Sequence, residues 1–144
     1  MKDCVFCRIL AGELPCDRVY EDDWLLAFLD IAPLNEGHTL LIPKEHHTSV
    51  TTLPPAYAAR LMQMAPRLGA ALMRVTKGDG FNLMLSNGAC AGQVVPHVHL
   101  HVIPRHPDDG IVLPARSVAY ASDAARATLR DAVRRRLEVT ADAP

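Results

Sequence analysis

From Pro96 to Pro104 the chain alternates imidazoles with branched aliphatics: His97, Val98, His99, Leu100, His101, Val102. A period of two belongs to a β-strand, whose successive side chains point to opposite faces. The alternation predicts a strand with the three histidines on one face and Val98, Leu100 and Val102 on the other. Pro96 and Pro104 bracket it, where a missing N–H does least harm. Four earlier stretches also read as strands. Residues 19–21 and 25–29 are joined at Asp22-Asp23, residues 37–44 form a mixed apolar run suited to a buried central place, and residues 81–85 follow.

The helical period appears elsewhere. Leu61, Ala65, Leu68, Leu72 and Val75 recur at spacings of three and four, so one face packs on the sheet. Pro54-Pro55 suits the first turn, Pro66 predicts a kink, and residues 77–80 end the helix. Met62, Gly69 and Met73 form a second apolar stripe, which either covers the sheet's edge or meets a second subunit. Residues 6–11 predict a short helix ended by Gly12. Ser122 can cap a last helix from residue 123 to about 139, after a loop-like run from Arg105 through Pro114. Strands then helix, twice over, give an α+β fold with an antiparallel sheet of about five strands, one long central helix and a C-terminal helix.

Composition narrows the partners. The 144 residues are enough for one domain with a real core, and 49% apolar with 22% charged residues describes an ordinary globule. A net charge of −1 argues against long nucleic acid but leaves a small anionic ligand open. No secretory or membrane-spanning run is legible, so a soluble, cytoplasmic protein with no membrane partner is expected. Four cysteines are too few for a disulfide scaffold in a chain this long, which points to a reduced setting. The C-terminal arginines, Arg126, Arg130 and the run 134–136, read as a solvated helix face.

The histidine row is the first candidate for chemistry. Same-face neighbours on a strand are about 6.6 Å apart, so His97 and His101 stand about 13 Å apart, too far to share one metal. The row is expected to divide its roles. Neutral imidazoles suit nucleophilic attack and proton relay near pH 7. Cys4 and Cys7 place two thiols for one metal or one redox pair, and His46 or His47 with His97 would complete a Cys₂His₂ set. Asp30, just past a strand end, can accept from a ligand's hydroxyls or cap a turn. His38 is a fourth candidate imidazole. The small, Gly-bearing loop 86–93 can turn backbone N–H groups inward as an anion nest, or serve only as a hairpin loop.

These residues resemble a known family. His97-Val-His-Leu-His-Val102 resembles the histidine triad (HIT) signature, and Gly92-Gln93, Ile103-Pro104-Arg105, Phe28-Leu-Asp-Ile31 and Gly37-His-Thr-Leu-Leu-Ile-Pro-Lys44 match as well. The N-terminal Cys4-Val-Phe-Cys-Arg-Ile-Leu-Ala-Gly-Glu-Leu-Pro15 resembles the Hint-like bacterial branch. The likeness covers about 4–105 of a single 1–144 domain; the last 39 residues carry no family signal. It implies a HIT-like fold and a dimeric nucleotide hydrolase or transferase acting at the α-phosphate. The substrate would be a nucleoside phosphoramidate or a dinucleoside polyphosphate. His99 matches the nucleophile that forms a nucleotidyl-histidine, and His101 and His38 match positions that orient the centre and handle protons. Gln93 and Val94 match the phosphate-contacting segment, Asp30 the ribose-binding carboxylate, Phe6, Phe28 and Ile31 the apolar base slot, and Asn87 a polar residue near ribose and phosphate. Cys4, Cys7, His46 and His97 match a structural zinc set seen in some relatives. Two departures stand out: Val94 replaces the Ser or Thr of many relatives, and the Trp-Pro-Pro tail of true Hint proteins is absent. A phosphorylase and a non-catalytic nucleotide-binding or scaffold dimer are the competing readings.

Overall fold

Each central strand sorts its side chains between two apolar clusters, one on each face of a single sheet. Leu25, Ala27, Leu41, Leu100 and Val102 face the long helix, while Leu26, Phe28, Leu40 and Ile42 face the N-terminal helix. A strand covered on both faces reads as a continuous apolar run, which is why residues 25–29 and 39–43 are almost uninterrupted. The structure, a computed structural model, describes residues 4–112 and 119–141. It divides into two compact units, Met1–Ile111 and Val112–Pro144.

The first unit runs α1 (Val5–Leu10), β1 (Arg18–Glu21), β2 (Leu25–Leu29), β3 (Thr39–Pro43), α2 (Pro55–Thr76), β4 (Gly80–Met84) and β5 (Leu100–Arg105). The sheet is antiparallel in the order β1-β2-β3-β5-β4, so β3 is central as its apolar run implied. The second unit carries α3 (Asp123–Ala141), whose Ala125 N–H donates to Ser122 Oγ at 3.0 Å. Pro114, the expected end of the preceding loop, lies outside the described residues. Among the described residues no helix is long and apolar enough to cross a membrane.

Three expectations need correction. The histidine stretch is only half strand: β5 starts at Leu100 and runs through Pro104, so His97 and His99 precede it. Pro43 is the reason at the near end. It has no N–H for the ladder, and its carbonyl accepts from His97 Nε2 at 2.9 Å. Pro104 is tolerated inside β5 because its polar edge faces Asn35, whose Nδ2 donates to the Pro104 carbonyl, and not a strand. The alternation of faces survives outside the ladder, with Val98 in the core beneath α2.

Second, Val75 does not join the buried face of α2. It is 82% exposed, and Thr76, four residues after Leu72, occupies the inward place with its hydroxyl donating to the Leu72 carbonyl. Third, the Met62–Gly69–Met73 stripe divides: at Gly69 it covers the sheet's edge strand, one of its two expected roles, but it does not act as one surface. Met62 is exposed, but Gly69 is buried against Phe81 of β4, where a Cβ would stand 2.6 Å from the ring. The α2 helix passes through Pro66 as one element.

Candidate active site and metal centre

The roles of the histidines are set nitrogen by nitrogen. His97 Nε2 donates to the Pro43 carbonyl at 2.9 Å, which leaves Nδ1 as a lone pair. His99 Nδ1 donates to the His97 carbonyl at 2.6 Å, which leaves Nε2 as a lone pair. His38 Nδ1 accepts from the Leu34 N–H at 3.1 Å, so its proton sits on Nε2, which donates to His101 Nδ1 at 2.9 Å. His101 must then carry its own proton on Nε2. Backbone groups at the two ends of these chains leave no freedom in the tautomers.

Burial favours the neutral forms of His38, His97 and His101. It pushes His97 and His101 down to about 4, with neighbouring imidazoles adding to the effect in both cases. The His38 ring is also lowered by burial, and the Asp30 carboxylate opposes that shift. Asp30 Oδ2 lies 3.6 Å from His38 Nε2, and Asp30 Oδ1 accepts from the Ala32 N–H at 2.9 Å. Asp30, His38 and His101 lie close enough together to invite a metal reading. The lone pair of His38 is already taken by Leu34, and that of His101 by His38, so this trio is a hydrogen-bond relay.

His99 and His101 open onto a cavity of about 740 Å³. A row of directly opposed residues crosses the sheet beneath it: His101 pairs with Leu40, Leu40 with Phe28, and Phe28 with Arg18. Three strand spacings make this row about 14 Å long. Phe6 of α1 roofs it, with its ring 5.5 Å from Phe28 and 5.3 Å from His99. Asp30, Ile31 and Val94 also line the cavity, Ile31 and Val94 as exposed rim residues. His99, His101 and Asp30 therefore gather at one end of the cavity, with the apolar slot beside them.

Two of the expected ligand contacts lie elsewhere. Asn87 does not line the cavity; its Oδ1 accepts from the Val50 N–H at 2.8 Å and from Ser49 Oγ at 3.1 Å. Gln93 does not line it either. Its Oε1 accepts from the Gly88 N–H, and its Nε2 donates to the Thr48 and Val95 carbonyls. Both side chains shape the loop, and only Gly92, Val94 and Val95 of that loop face the cavity. Conversely, Val5, Ile9, Leu14, Cys16 and Asp17 line the slot without having been singled out in the sequence. Val5, Phe6 and Ile9 share a helix face, so the spacing on α1 was a signal for that wall.

The second cluster joins Cys4, Cys7, His46 and His97, whose ligand atoms all lie within 4.8 Å of one another. Cys7 Sγ is 3.2 Å from His46 Nδ1, and both thiols are 3.7 Å from His97 Nδ1. A tetrahedron with Zn–S of about 2.3 Å and Zn–N of about 2.0–2.1 Å has edges of about 3.3–3.8 Å. The donor set fits zinc, and the Pro43 carbonyl on His97 Nε2 gives the outer contact that fixes a ligating ring. Burial pushes the Cys7 thiol up, and its Cys4 neighbour adds to this; a divalent cation would reverse that preference. His47 points away, toward Glu45 and Tyr57.

Comparison with known proteins agrees with this geometry. Residues 11–108 match the HIT domain. The adenylylsulfatase HINT3 of Arabidopsis thaliana is 47% identical over 107 residues, 74% of this chain and 54% of that protein, so the match spans about half of the relative's length. The adenosine 5'-monophosphoramidase HNT1 of Candida albicans is 34% identical over 124 residues, 81% of this chain and 82% of that one. A crystal structure of a HIT family protein from Bacillus subtilis superposes with a TM-score of 0.85 at 35% identity, covering 93% of this chain and 96% of that chain. A zinc-bound histidine triad family protein from Mycobacterium smegmatis gives 0.73 at 37% identity, covering 91% and 98%. The paired imidazoles, the slot beneath them and these matches together place the chain in the HIT domain family.

Proposed function

We propose that the protein is a nucleotide hydrolase that cleaves at the α-phosphate through a nucleotidyl-histidine on His99 and releases a nucleoside monophosphate. The observation that carries this reading is the His99 ring, whose Nε2 lone pair faces a cavity while its Nδ1–H is held by the His97 carbonyl. Neutral imidazole with a fixed tautomer is a ready nucleophile. His101 Nε2–H, oriented by His38, supplies a donor for the phosphoryl oxygens, where charge develops. Asp30 accepts from the ribose hydroxyls, and the base enters between Phe6 and Phe28, with Ile31 at the rim. Val94 and the backbone beside Gln93 border the phosphate, and Asn87 acts through the loop it braces. The relatives' names, an adenylylsulfatase and a monophosphoramidase, favour nucleoside monophosphate derivatives as substrates.

In the same reading Cys4, Cys7, His46 and His97 hold one structural zinc, which would fasten α1 and so keep Phe6 in place. A zinc-bound relative and the tetrahedral spacing support this. Reduced thiols are needed there, which favours the cytoplasm. A homodimer belongs to this reading as well, because β4 ends the sheet and, among the described strands, pairs with β5 alone.

The test is single-turnover quenching with labelled adenylyl sulfate, adenosine phosphoramidate and diadenosine polyphosphates. An acid-labile protein adduct that is absent in His99→Ala is expected. Wild-type turnover by His99→Ala would overturn the assignment. Turnover that requires added inorganic phosphate would make the enzyme a phosphorylase, and nucleotide binding without any turnover would leave a binding dimer.

A further inference from the structure

The pairing of His38 with His101 hangs on one backbone donor. The Leu34 N–H meets His38 Nδ1 at 3.1 Å, and this contact keeps the His38 proton on Nε2, where it is given to His101 Nδ1 at 2.9 Å. Asp30 Oδ2 also faces His38 Nε2, but at 3.6 Å it lies beyond hydrogen-bond reach. Leu34 belongs to the connection between β2 and β3, and its own side chain is exposed. Another group must therefore hold its N–H on the ring.

Asn35 does so from outside the cavity. Within residues 31–36 it alone is not exposed. Its backbone carbonyl accepts from the His38 N–H at 3.0 Å, which joins it to the residue whose ring Leu34 meets. Both Nδ2 protons leave the connection: one goes to the Pro104 carbonyl of β5 at 3.1 Å, the other to Asp109 Oδ2 at 3.2 Å. Two acceptors fix which way the amide points. Asp109 is held in turn. Its carboxylate accepts from five N–H groups: Arg105 Nε and Nη2, the backbones of His106 and Ile111, and Asn35. The Arg105 guanidinium holds the Asp109 carboxyl well below the usual carboxylate range, so this acceptor stays charged. Gly37 completes the seat. Its φ is +82°, and a Cβ there would stand 2.8 Å from Thr76 Cγ2 and 3.3 Å from Pro104 Cγ, so the chain lies directly on α2 and β5. None of Asn35, Arg105 and Asp109 lines the cavity.

Resting on the hydrolase reading above, we infer that Asn35, seated by the Arg105–Asp109 ion pair, is a positioning residue. It fixes the Leu34 N–H on His38 and thereby keeps the His101 proton on the nitrogen that faces the cavity. Without the Asn35 amide the Leu34 N–H leaves the ring, and the buried Nδ1 lone pair is unmet, which is costly. His38 relieves this by carrying its proton on Nδ1, toward water admitted by the displaced connection. Its Nε2 is then a lone pair, and His101 meets it only by moving its own proton to Nδ1. Each ring exchanges one proton with water, so both stay neutral and the net charge is unchanged. His101 Nε2 then turns a lone pair, and no N–H, toward the phosphoryl oxygens.

The experiment reads the ring nitrogens of the full chain directly, by long-range ¹H–¹⁵N correlation near neutral pH without substrate. Wild type should show His38 and His101 with protonated Nε2 and bare Nδ1. In Asn35→Asp, which keeps the shape but turns both donors into lone pairs, the two rings should move to the Nδ1–H form. Should that variant not fold, Asn35→Ala carries the same expectation. Loss of one donor to a developing charge costs about 10²–10³ in kcat, so a mispointed one should lower kcat by at least about tenfold, with KM within about threefold. The control is Asn82→Ala, which removes the Arg105 Nη1 contact on β4 and leaves Asp109 and Asn35 in place. It should keep the wild-type tautomers and kcat within about twofold. Wild-type tautomers in the folded Asn35 variants, or the same tautomer change in Asn82→Ala, would overturn the role of Asn35. No protein adduct with any nucleotide would overturn the hydrolase reading instead, and the tautomers, read without substrate, would still decide whether Asn35 sets them.

Discussion

His97 and His101 stand four residues apart on one stretch, and burial lowers both to about 4, yet they face different tasks. The difference is which nitrogen each has left. His97 gives Nε2–H to the Pro43 carbonyl and turns a bare Nδ1 toward two thiols. His101 gives its Nδ1 lone pair to His38 and turns Nε2–H toward the cavity. In the proposed function the first end would hold a soft cation and the second would meet phosphate oxygens. His99 lies between them and is tied to the first end by the His97 carbonyl. Residue type and burial do not separate these roles; the hydrogen-bond partner of the second nitrogen does.

Removing the middle ring should have the largest effect. His99→Ala is expected to lower kcat by about 10⁴-fold or more while nucleotide affinity, read by calorimetry, stays within a few-fold. Loss of affinity in parallel with kcat would mean that the ring is a binding group. Breaking the metal end alone comes next. Wild-type protein purified without a His-tag should carry about one zinc per chain, and Cys4→Ser should lose it with a fall in Tm of roughly 10 °C. Metal near zero in fresh wild-type protein, with Cys4→Ser equally stable, would make the cysteines packed thiols.

Asp30→Asn probes the other end through the ligand. It should weaken ribonucleotides by about 1.5–3 kcal/mol and 2',3'-dideoxynucleotides by much less. An equal loss for both would restrict Asp30 to its turn with Ala32. The smallest effect is in pH. His101 has a folded value of about 4, below the ordinary 6.5, so between these values the unfolded chain binds more protons. Its stability contribution is complete above about pH 6.5 and is lost as pH falls toward 4, by on the order of 1–3 kcal/mol. His101→Gln should flatten that part of the stability curve measured by urea titration. An unchanged slope would show that His101 is already charged in the folded state at that pH.

Much of this was legible in one dimension. The period-two alternation fixed which side chains oppose the core: Val98, Leu100 and Val102 pack beneath α2, and the histidines face away. The apolar run at 39–43 marked a strand covered on both sides, and Leu61, Ala65, Leu68 and Leu72 marked the buried row of α2. The spacing of Cys4 and Cys7 already meant that any metal centre there would need two more ligands. The missed details have local causes. Val75 lost its buried place to Thr76 because the helix ends there, and periodicity carries no information about where a row stops.

What tertiary structure alone decided is how distant segments meet. Strand order brings β3 beside β5, so His38 reaches His101 across 63 positions, and His46, not His47, faces the cysteines. Gln93 and Asn87 carry the right atoms for a ligand, but their partners are backbone groups at Thr48, Val50 and Gly88 that no local pattern reveals. The tautomers of the histidine row depend on the carbonyls of Pro43 and His97 and the N–H of Leu34. The sequence by itself determined which residues could do the chemistry, because periodicity and residue type are properties of the chain. Which nitrogen does it follows from hydrogen bonds between segments far apart in sequence, and those exist only once the sheet has closed.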